Sequence, residues 1–325
     1  MRAVVTGATG FTGGALAQRL VALGHDVLAL VRASSDTRNL QAAAIETRVV
    51  DLNDACAVRA ALEPGDTVFH IAAAYRAEHA DEAEFVAVNV DATRVLLEAA
   101  LARGARRFVH CSTVGVQGAI EAPPASEDYR TAPNDHYQAS KLEGERLALT
   151  YCERGLDVTV VRPVGIYGPG DTRFLKLFRG VSKGWFLMIG DGETLYHLTY
   201  IDDLIDGFLR ASEHPAAVGE VFTVCGARYT TLNELVGLVA QSLDRRPPRL
   251  KVPAAPVLLA AHVCDWICKR LGLASPLYPR RVEFFLLDRA FTHAKASTLL
   301  DYRPRVDLEE GLARTRDWYR DEGLL

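Results

Sequence analysis

Tyr137 and Lys141 stand four residues apart in Tyr137-Gln138-Ala139-Ser140-Lys141. On a helix this spacing puts both side chains on one face, one turn apart. A lysine ammonium beside a phenol favours the phenolate. Lys141 is therefore expected to lower the Tyr137 pKa from its reference of about 10 and fit it for proton transfer near neutral pH. Ser112-Thr113 offers hydroxyls that can hydrogen-bond a substrate oxygen. Gly7-Ala8-Thr9-Gly10-Phe11-Thr12-Gly13 can bring backbone N–H groups against a pyrophosphate. By itself the Tyr/Lys pair is an unspecific pattern, and its surroundings carry the weight.

The glycine turn lies between a strand at 3–6 and a helix from about 12 to 23, the context a dinucleotide site requires. A second strand, 27–31, ends at Arg32, nineteen residues after Gly13. In a βαβ nucleotide fold an acid at this strand end hydrogen-bonds the ribose of NAD, whereas an arginine accommodates the 2′-phosphate of NADP. NADP(H) is therefore expected, with NAD(H) as the alternative; Asp36 lies too far along the loop to take the role. A third strand, 47–50, runs into Asp51-Leu52, where an acid can reach the adenine amino group. A fourth, 67–71, runs into Ala72-Ala73-Ala74, whose small side chains leave room for a cofactor; Tyr75 and Arg76 follow on a loop that faces substrate or solvent. Residues 85–103 read as one long helix ended by Gly104, with Asn89 inside it as a buried amide or an active-site brace. A fifth strand, 107–111, ends at Ser112-Thr113, and Pro133-Asn134-Asp135 provides turn and cap for the Tyr/Lys helix.

After a strand at 158–161 the alternation fails. A strand at 221–224 is expected to rejoin the sheet, and Thr231 to cap a helix over 231–243 with Glu234 completing a capping box. The pattern predicts an α/β fold, a doubly wound parallel sheet with helices on both faces and a smaller C-terminal α/β substrate domain. The expected boundaries are 1–165, joined again by about 198–225, for the NADP-binding part, and 166–197 with 226–325 for the substrate part.

The 325 residues are 49% hydrophobic and 24% charged with a net charge of −4, which gives no support for nucleic-acid binding. Six cysteines form no C-x-x-C pair and no zinc spacing, so a reduced, cytoplasmic protein without a metal is expected, with Cys264 and Cys268 packed in a core. No targeting segment is expected before the first strand. The apolar run from Val257 to Cys264 is far shorter than the roughly 20 residues that span a bilayer. Val252–Leu273, with Asp265, Lys269 and Arg270 as a polar edge, is expected to pack on its own domain or on a dimer mate, membrane-surface contact being the less favoured alternative.

Taken together, the G-x-x-G-x-x-G turn, Asp51-Leu52, Ser112-Thr113, Tyr137-x-x-x-Lys141, Arg162-Pro163…Tyr167-Gly168-Pro169 and Tyr200-Ile201-Asp202-Asp203-Leu204 resemble the extended short-chain dehydrogenases/reductases of the NAD(P)-dependent epimerase/dehydratase superfamily, over nearly the whole chain. The resemblance implies a Rossmann domain, commonly a homodimer through two long helices, and a Ser/Thr–Tyr–Lys set. On the matching positions Tyr137 is the acid/base, Lys141 also binds the nicotinamide ribose, and Thr113, five before Gly118, takes the Ser/Thr role with Ser112 as neighbour. The implied cofactor contacts are Gly7, Thr9, Gly10, Phe11, Thr12, Gly13, Arg32, Asp51, Leu52, Ala72, Ala73, Tyr137, Lys141 and Pro163; Tyr75, Ser112, Tyr196 and His197 are candidates for substrate.

Nucleotide-sugar epimerases and dehydratases carry Arg-Asp where this chain, after Gly190-Asp191-Gly192, has Tyr196-His197, so their phosphate ligand is missing, with Arg173 a possible substitute. The Arg32 strand end and the tail from Val252 resemble instead the dihydroflavonol-reductase-like and 3β-hydroxysteroid-dehydrogenase-like group. The expected function is hydride transfer between NADP(H) and a hydroxyl or ketone carbon of a fairly apolar small molecule. The alternatives are a nucleotide-sugar 4-epimerase or dehydratase, and a non-catalytic NADP-binding regulatory protein, against which intact Thr113, Tyr137 and Lys141 argue.

Overall fold

The structure, a computed structural model, describes residues 1–325 except 76–81, 249 and 274 and the side chains of Arg280 and Arg281; Arg76 thus lies outside the described residues. The chain begins with β1 (Arg2–Thr6), α1 (Phe11–Ala22), β2 (Asp26–Val31), α2 (Arg38–Ala42), β3 (Glu46–Val49), α3 (Ala55–Ala61) and β4 (Thr67–His70). The expected long helix is instead α4 (Glu82–Val86), a π-helical turn at Ala87–Asp91, and α5 (Ala92–Arg103). Then come β5 (Arg107–Cys111), α6 (His136–Thr150), β6 (Val158–Pro163), β7 (Gly165–Tyr167), α7 (Leu175–Ser182), β8 (Met188–Ile189), β9 (Leu195–Tyr196), β10 (Leu198–Tyr200) and α8 (Ile201–Glu213). The chain closes with β11 (Val221–Val224), β12 (Thr230–Thr231), α9 (Leu232–Ser242), β13 (Lys251–Val252), α10 (Ala254–Leu271), α11 (Pro279–Glu283), α12 (Ala294–Leu300) and α13 (Leu308–Asp321).

Among the described residues the main sheet has seven parallel strands in the order β11-β6-β5-β4-β1-β2-β3. Successive side chains of a strand point to opposite faces, and both faces here are apolar. Ala3 and Val5 of β1 join one core, with Leu16 and Leu20 of α1 and Leu204 and Phe208 of α8. Val4 joins the other, with Val58 of α3, Leu96 and Leu97 of α5 and Ala148 of α6. The strand order reverses between β1 and β4, which opens a crevice at their carboxyl ends, the place where such sheets bind ligands.

The parts outside this sheet are joined by short pairings distant in sequence. β7 pairs with β10, β9 with β12, and β8 with β13. Asp203 accepts hydrogen bonds from the Arg305 and Val306 amides at 2.8 and 3.2 Å, which pins α8 to the segment before α13. Thr231 caps α9 by accepting from Glu234 N–H at 3.1 Å, but the Glu234 carboxylate turns to Arg228, so only half of the expected capping box forms.

Candidate active site

At the switch point the three glycines of the turn have different duties. A Cβ on Gly7 (φ +72°) would meet Ala72 N at 2.7 Å, and one on Gly13 would meet Gly7 O at 2.3 Å. These two allow β1, α1 and the end of β4 to close on one another. Gly10 is exposed, and a Cβ there would have only Gly7 O near it, at 3.4 Å. Packing does not require glycine at this position. Gly10 is also the N-cap of α1, no side chain caps the helix, and no acid occupies its first turn. An open glycine over an uncapped helix start, with its N–H groups and dipole directed outward, fits a dinucleotide pyrophosphate.

The other expected cofactor contacts flank this turn. Thr9 is exposed and Phe11 and Thr12 are half-buried. Arg32 is exposed just past β2 and forms no ion pair among the described residues. Arg38, by contrast, is spent on Asp36, and the pair holds the Asp36 carboxyl down at about 2. Asp51 is exposed beyond β3 and accepts from Asn53 N–H at 3.0 Å; Leu52 packs against the core beside α3. Ala72 and Ala73 are half-buried beyond β4, and Pro163 ends β6 two strands away.

Helix α6 is started by Asp135, whose Oδ1 accepts from Gln138 N–H at 2.7 Å, while the Gln138 side chain accepts from Asn134 N–H at 3.0 Å. This cap sets the phase that turns Tyr137 and Lys141 toward the carboxyl end of β5. Tyr137 is bordered by Tyr75 and Phe85, with ring centroids 5.1 and 6.3 Å away. The expected lowering of its pKa is not found. Burial pushes the phenol up, Cys111, Tyr75 and Asp135 add to the shift, and Arg173 opposes it. Lys141 is only 1% exposed, and burial holds its ammonium below its usual range, against the pull of Cys111 and Glu145. Thr113 accepts from Gly115 N–H at 3.1 Å, which leaves its hydroxyl proton free to donate. The neighbouring Ser112 is 3% exposed, and its Oγ has no hydrogen-bond partner among the described residues.

Asn89 explains the π-helical turn. Its side chain accepts from Ala74 N–H at 2.9 Å and donates to Ala74 O at 3.3 Å and Ser140 Oγ at 2.9 Å. Its carbonyl accepts from Thr93 Oγ1 at 2.9 Å and lies where a Cβ on Gly144 would stand, 2.4 Å away. One widened turn thus ties the loop after β4 to the helix carrying Tyr137 and Lys141. Asn89 is a positioning residue.

The family model of the NAD dependent epimerase/dehydratase family matches residues 3–225. The chain belongs to that family. It is 31% identical to a 3-beta-hydroxysteroid dehydrogenase of Mycolicibacterium neoaurum, over 98% of this chain and 92% of the relative. It is also 31% identical to a UDP-glucose 4-epimerase of Mycolicibacterium smegmatis, over 99% of both. Among solved structures it superposes on a Streptomyces venezuelae dTDP-glucose 4,6-dehydratase with NAD bound at a TM-score of 0.78, with 26% identity and full coverage of both chains. The protein is an NAD(P)-dependent enzyme of the extended short-chain dehydrogenase/reductase superfamily.

The pair Tyr196-His197, both candidates for substrate, divides its roles. His197 is 3% exposed; its Nε2 lies 2.9 Å from Gly226 O, and its Nδ1 lies 3.0 Å from Phe291 O and accepts from Phe291 N–H at 3.4 Å. Both ring nitrogens are occupied by backbone, so the expectation that His197 meets substrate is corrected to a structural brace. Burial lowers its pKa to about 4. Tyr196 faces the aromatic side of the cleft. Its ring is 5.0 Å from Phe284, it hydrogen-bonds Arg289, and it lies close enough to Tyr75 and Arg173 to feel both. Arg289 had no place in the site on sequence grounds because contacts distant in sequence bring it beside β9: its N–H to Leu195 O at 2.8 Å, and Leu195 N–H to Asp288 Oδ1 at 2.7 Å. Arg173 is already engaged, with Nε on Asp171 at 2.5 Å, Nη2 on Ile166 O at 2.8 Å, and its guanidinium 5.5 Å from the Phe11 ring. It links the glycine turn to the cap instead of standing free for a phosphate.

Proposed function

We propose that the protein is an NADP(H)-dependent oxidoreductase that interconverts a ketone and a secondary alcohol on a largely apolar small molecule. The observation that carries this reading is the Tyr137 environment. The phenol is walled by Tyr75 and Phe85, and burial keeps it protonated at neutral pH. A neutral phenol is the form that gives a proton to a carbonyl oxygen, the reducing direction. When bound, the nicotinamide supplies or receives the hydride. Tyr137 then delivers or removes the proton at the substrate oxygen, and Thr113 donates a hydrogen bond to that oxygen where negative charge develops. Lys141 holds the ribose beneath Tyr137, and Asn89 keeps α6 in place through Ser140. Arg32 receives the 2′-phosphate, and Asp51 the adenine. Residues 1–165 with about 198–225 hold the cofactor, and 166–197 with 226–325 the substrate.

The reading includes a homodimer formed through the outer faces of α5 and α6 and a cytoplasmic location, which suits six free cysteines. A second reading, nucleotide-sugar epimerisation or dehydration, is favoured by Arg289 on Tyr196 in the cleft and by the epimerase relative. Identifying the nicotinamide released on denaturing the purified protein separates the two. An empty protein, or one releasing NADP(H), supports the reductase and should reduce apolar ketones with NADPH. Stoichiometric NAD, with isomerisation of a UDP- or dTDP-sugar in the absence of added cofactor, overturns it.

A further inference from the structure

Helix α10 differs from the other long helices of the chain. α1, α8 and α9 each bury an apolar stripe, whereas α10, with 18 residues, buries only Ala261. Leu259, Val263, Trp266, Ile267 and Leu271 recur at intervals of three and four and so share one face, and they are 43–66% exposed. Leu250 and Leu273, before and after the helix, are also exposed. An apolar stripe of this length in water marks a surface that something covers.

Charge indicates the cover. The segment 245–273 contains six Lys and Arg but one Asp, in a chain of net charge −4. That aspartate, Asp265, is already paired with Lys269 at 2.7 Å. Arg270 stacks on Trp266 with its guanidinium 4.4 Å from the ring, so a cation and an indole border the stripe together. Of these cations Lys269 and Arg270 lie on α10 itself; two copies meeting through this face would bring them together, whereas an anionic lipid surface neutralises them. No described helix is long and apolar enough to cross a membrane. At about 1.5 Å per residue, α10 can lie about 27 Å along a surface.

We propose that α10 docks the protein on an anionic bilayer surface, with the Leu259–Leu271 stripe at the acyl boundary and Lys269 and Arg270 at the phosphates. α10 packs on α11, and Asp265, Tyr278 and Glu283 line a cavity with Asn134 and the stem of Lys269, next to the Asp135 cap of the catalytic helix. Docking therefore places lipid one helix away from the start of α6. This inference does not depend on the proposed reaction.

The test is flotation of the full chain with vesicles of phosphatidylcholine alone or mixed with phosphatidylglycerol, alongside its oligomeric state by light scattering. The chain should float with the anionic vesicles at low salt, and pure phosphatidylcholine or high salt should weaken partitioning at least tenfold. Ile267→Glu and the double variant Lys269→Glu/Arg270→Glu should each reduce it about tenfold or more, without changing circular dichroism or oligomeric state. Should Ile267→Glu fail to fold, the charge-reversal variant and the Trp266 emission of a Trp185→Phe/Trp318→Phe protein, shifted to the blue by anionic vesicles, carry the test. Absence of flotation with anionic vesicles overturns the proposal. So does a dimer that Ile267→Glu dissociates, which would make the stripe an interface between copies.

Discussion

The two walls of the cleft are built differently. On the sheet side, each group is set by a motif within one stretch of chain: the 7–13 turn on β1 and α1, and Tyr137 and Lys141 on one capped helix. On the cap side, contacts come from two-residue strand pairings and single backbone bonds, such as Tyr196 with Thr230, Lys251 with Met188, and Arg289 N–H with Leu195 O. The first wall binds what the whole family shares. The second is held by contacts distant in sequence, and there Tyr196 meets Phe284 while the next residue, His197, is a brace.

The largest effect should come from the sheet side. Tyr137→Phe should lower kcat about 10³-fold while NADPH binding, measured by fluorescence titration, stays within a few-fold. Retained turnover would remove Tyr137 from the acid/base role and blur the distinction between the walls. On the cap side, Tyr196→Phe should act mainly on KM.

A second contrast lies in pH. His70 on the sheet side is fully buried between Thr6 and Thr93, both at 2.8 Å, with its pKa lowered to about 3, while His197 on the cap side is lowered to about 4. Both are neutral in the folded chain, and the unfolded chain takes up their protons below about 6.5. Their stabilising contribution is thus complete above about 6.5 and is lost as pH falls toward 4 and 3. Unfolding free energies from urea titrations at pH 7 to 4 should decline by up to about 1.4 kcal/mol per pH unit for each histidine. His197→Gln should flatten the decline by one histidine's share; an unchanged slope would mean that the His197 pKa is the same in the folded and unfolded chain.

The glycines give a sharper test of the sheet wall. Gly13→Ala, whose Cβ would stand 2.3 Å from Gly7 O, should destabilise the fold by about 1–3 kcal/mol. Gly10→Ala, with 3.4 Å to the same oxygen, should leave the thermal midpoint unchanged but weaken the cofactor. Equal loss of stability in both would assign all three glycines to packing. The smallest expected effect is in cofactor choice. Arg32→Asp should shift the NADPH-to-NADH preference about tenfold toward NADH, about 1.4 kcal/mol. Equal weakening of both would show that Arg32 does not meet the 2′-phosphate.

Much of the fold was legible because its signals are local. Alternation of strand and helix, the glycine turn, and the caps Asp135 and Thr231 act over a few residues, and the strands matched to within a residue or two. Readings failed where distant contacts decide. The long helix over 85–103 breaks at Asn89, because Gly144 on another helix admits its carbonyl and Ala74 and Ser140 take its side chain. Cys264 and Cys268 do not enter a core; they are half-buried beside Ser275, whose hydroxyl lies 3.6 Å from Cys264 Sγ. Of the two covers expected for the Val252–Leu273 stripe, its own domain or a dimer mate, its own domain does not bury it.

The sequence by itself determined that Tyr137 and Lys141 share a helix face, that a glycine turn precedes a helix start at a sheet switch point, and that Arg32 follows β2. Spacing along a regular backbone dictates each of these. Only the tertiary structure decided the protonation of Tyr137, the separate duties of Gly7, Gly10 and Gly13, the binding of His197 to Gly226 and Phe291, and the exposure of α10. Those outcomes depend on desolvation and on contacts with residues far along the chain, which no local pattern encodes.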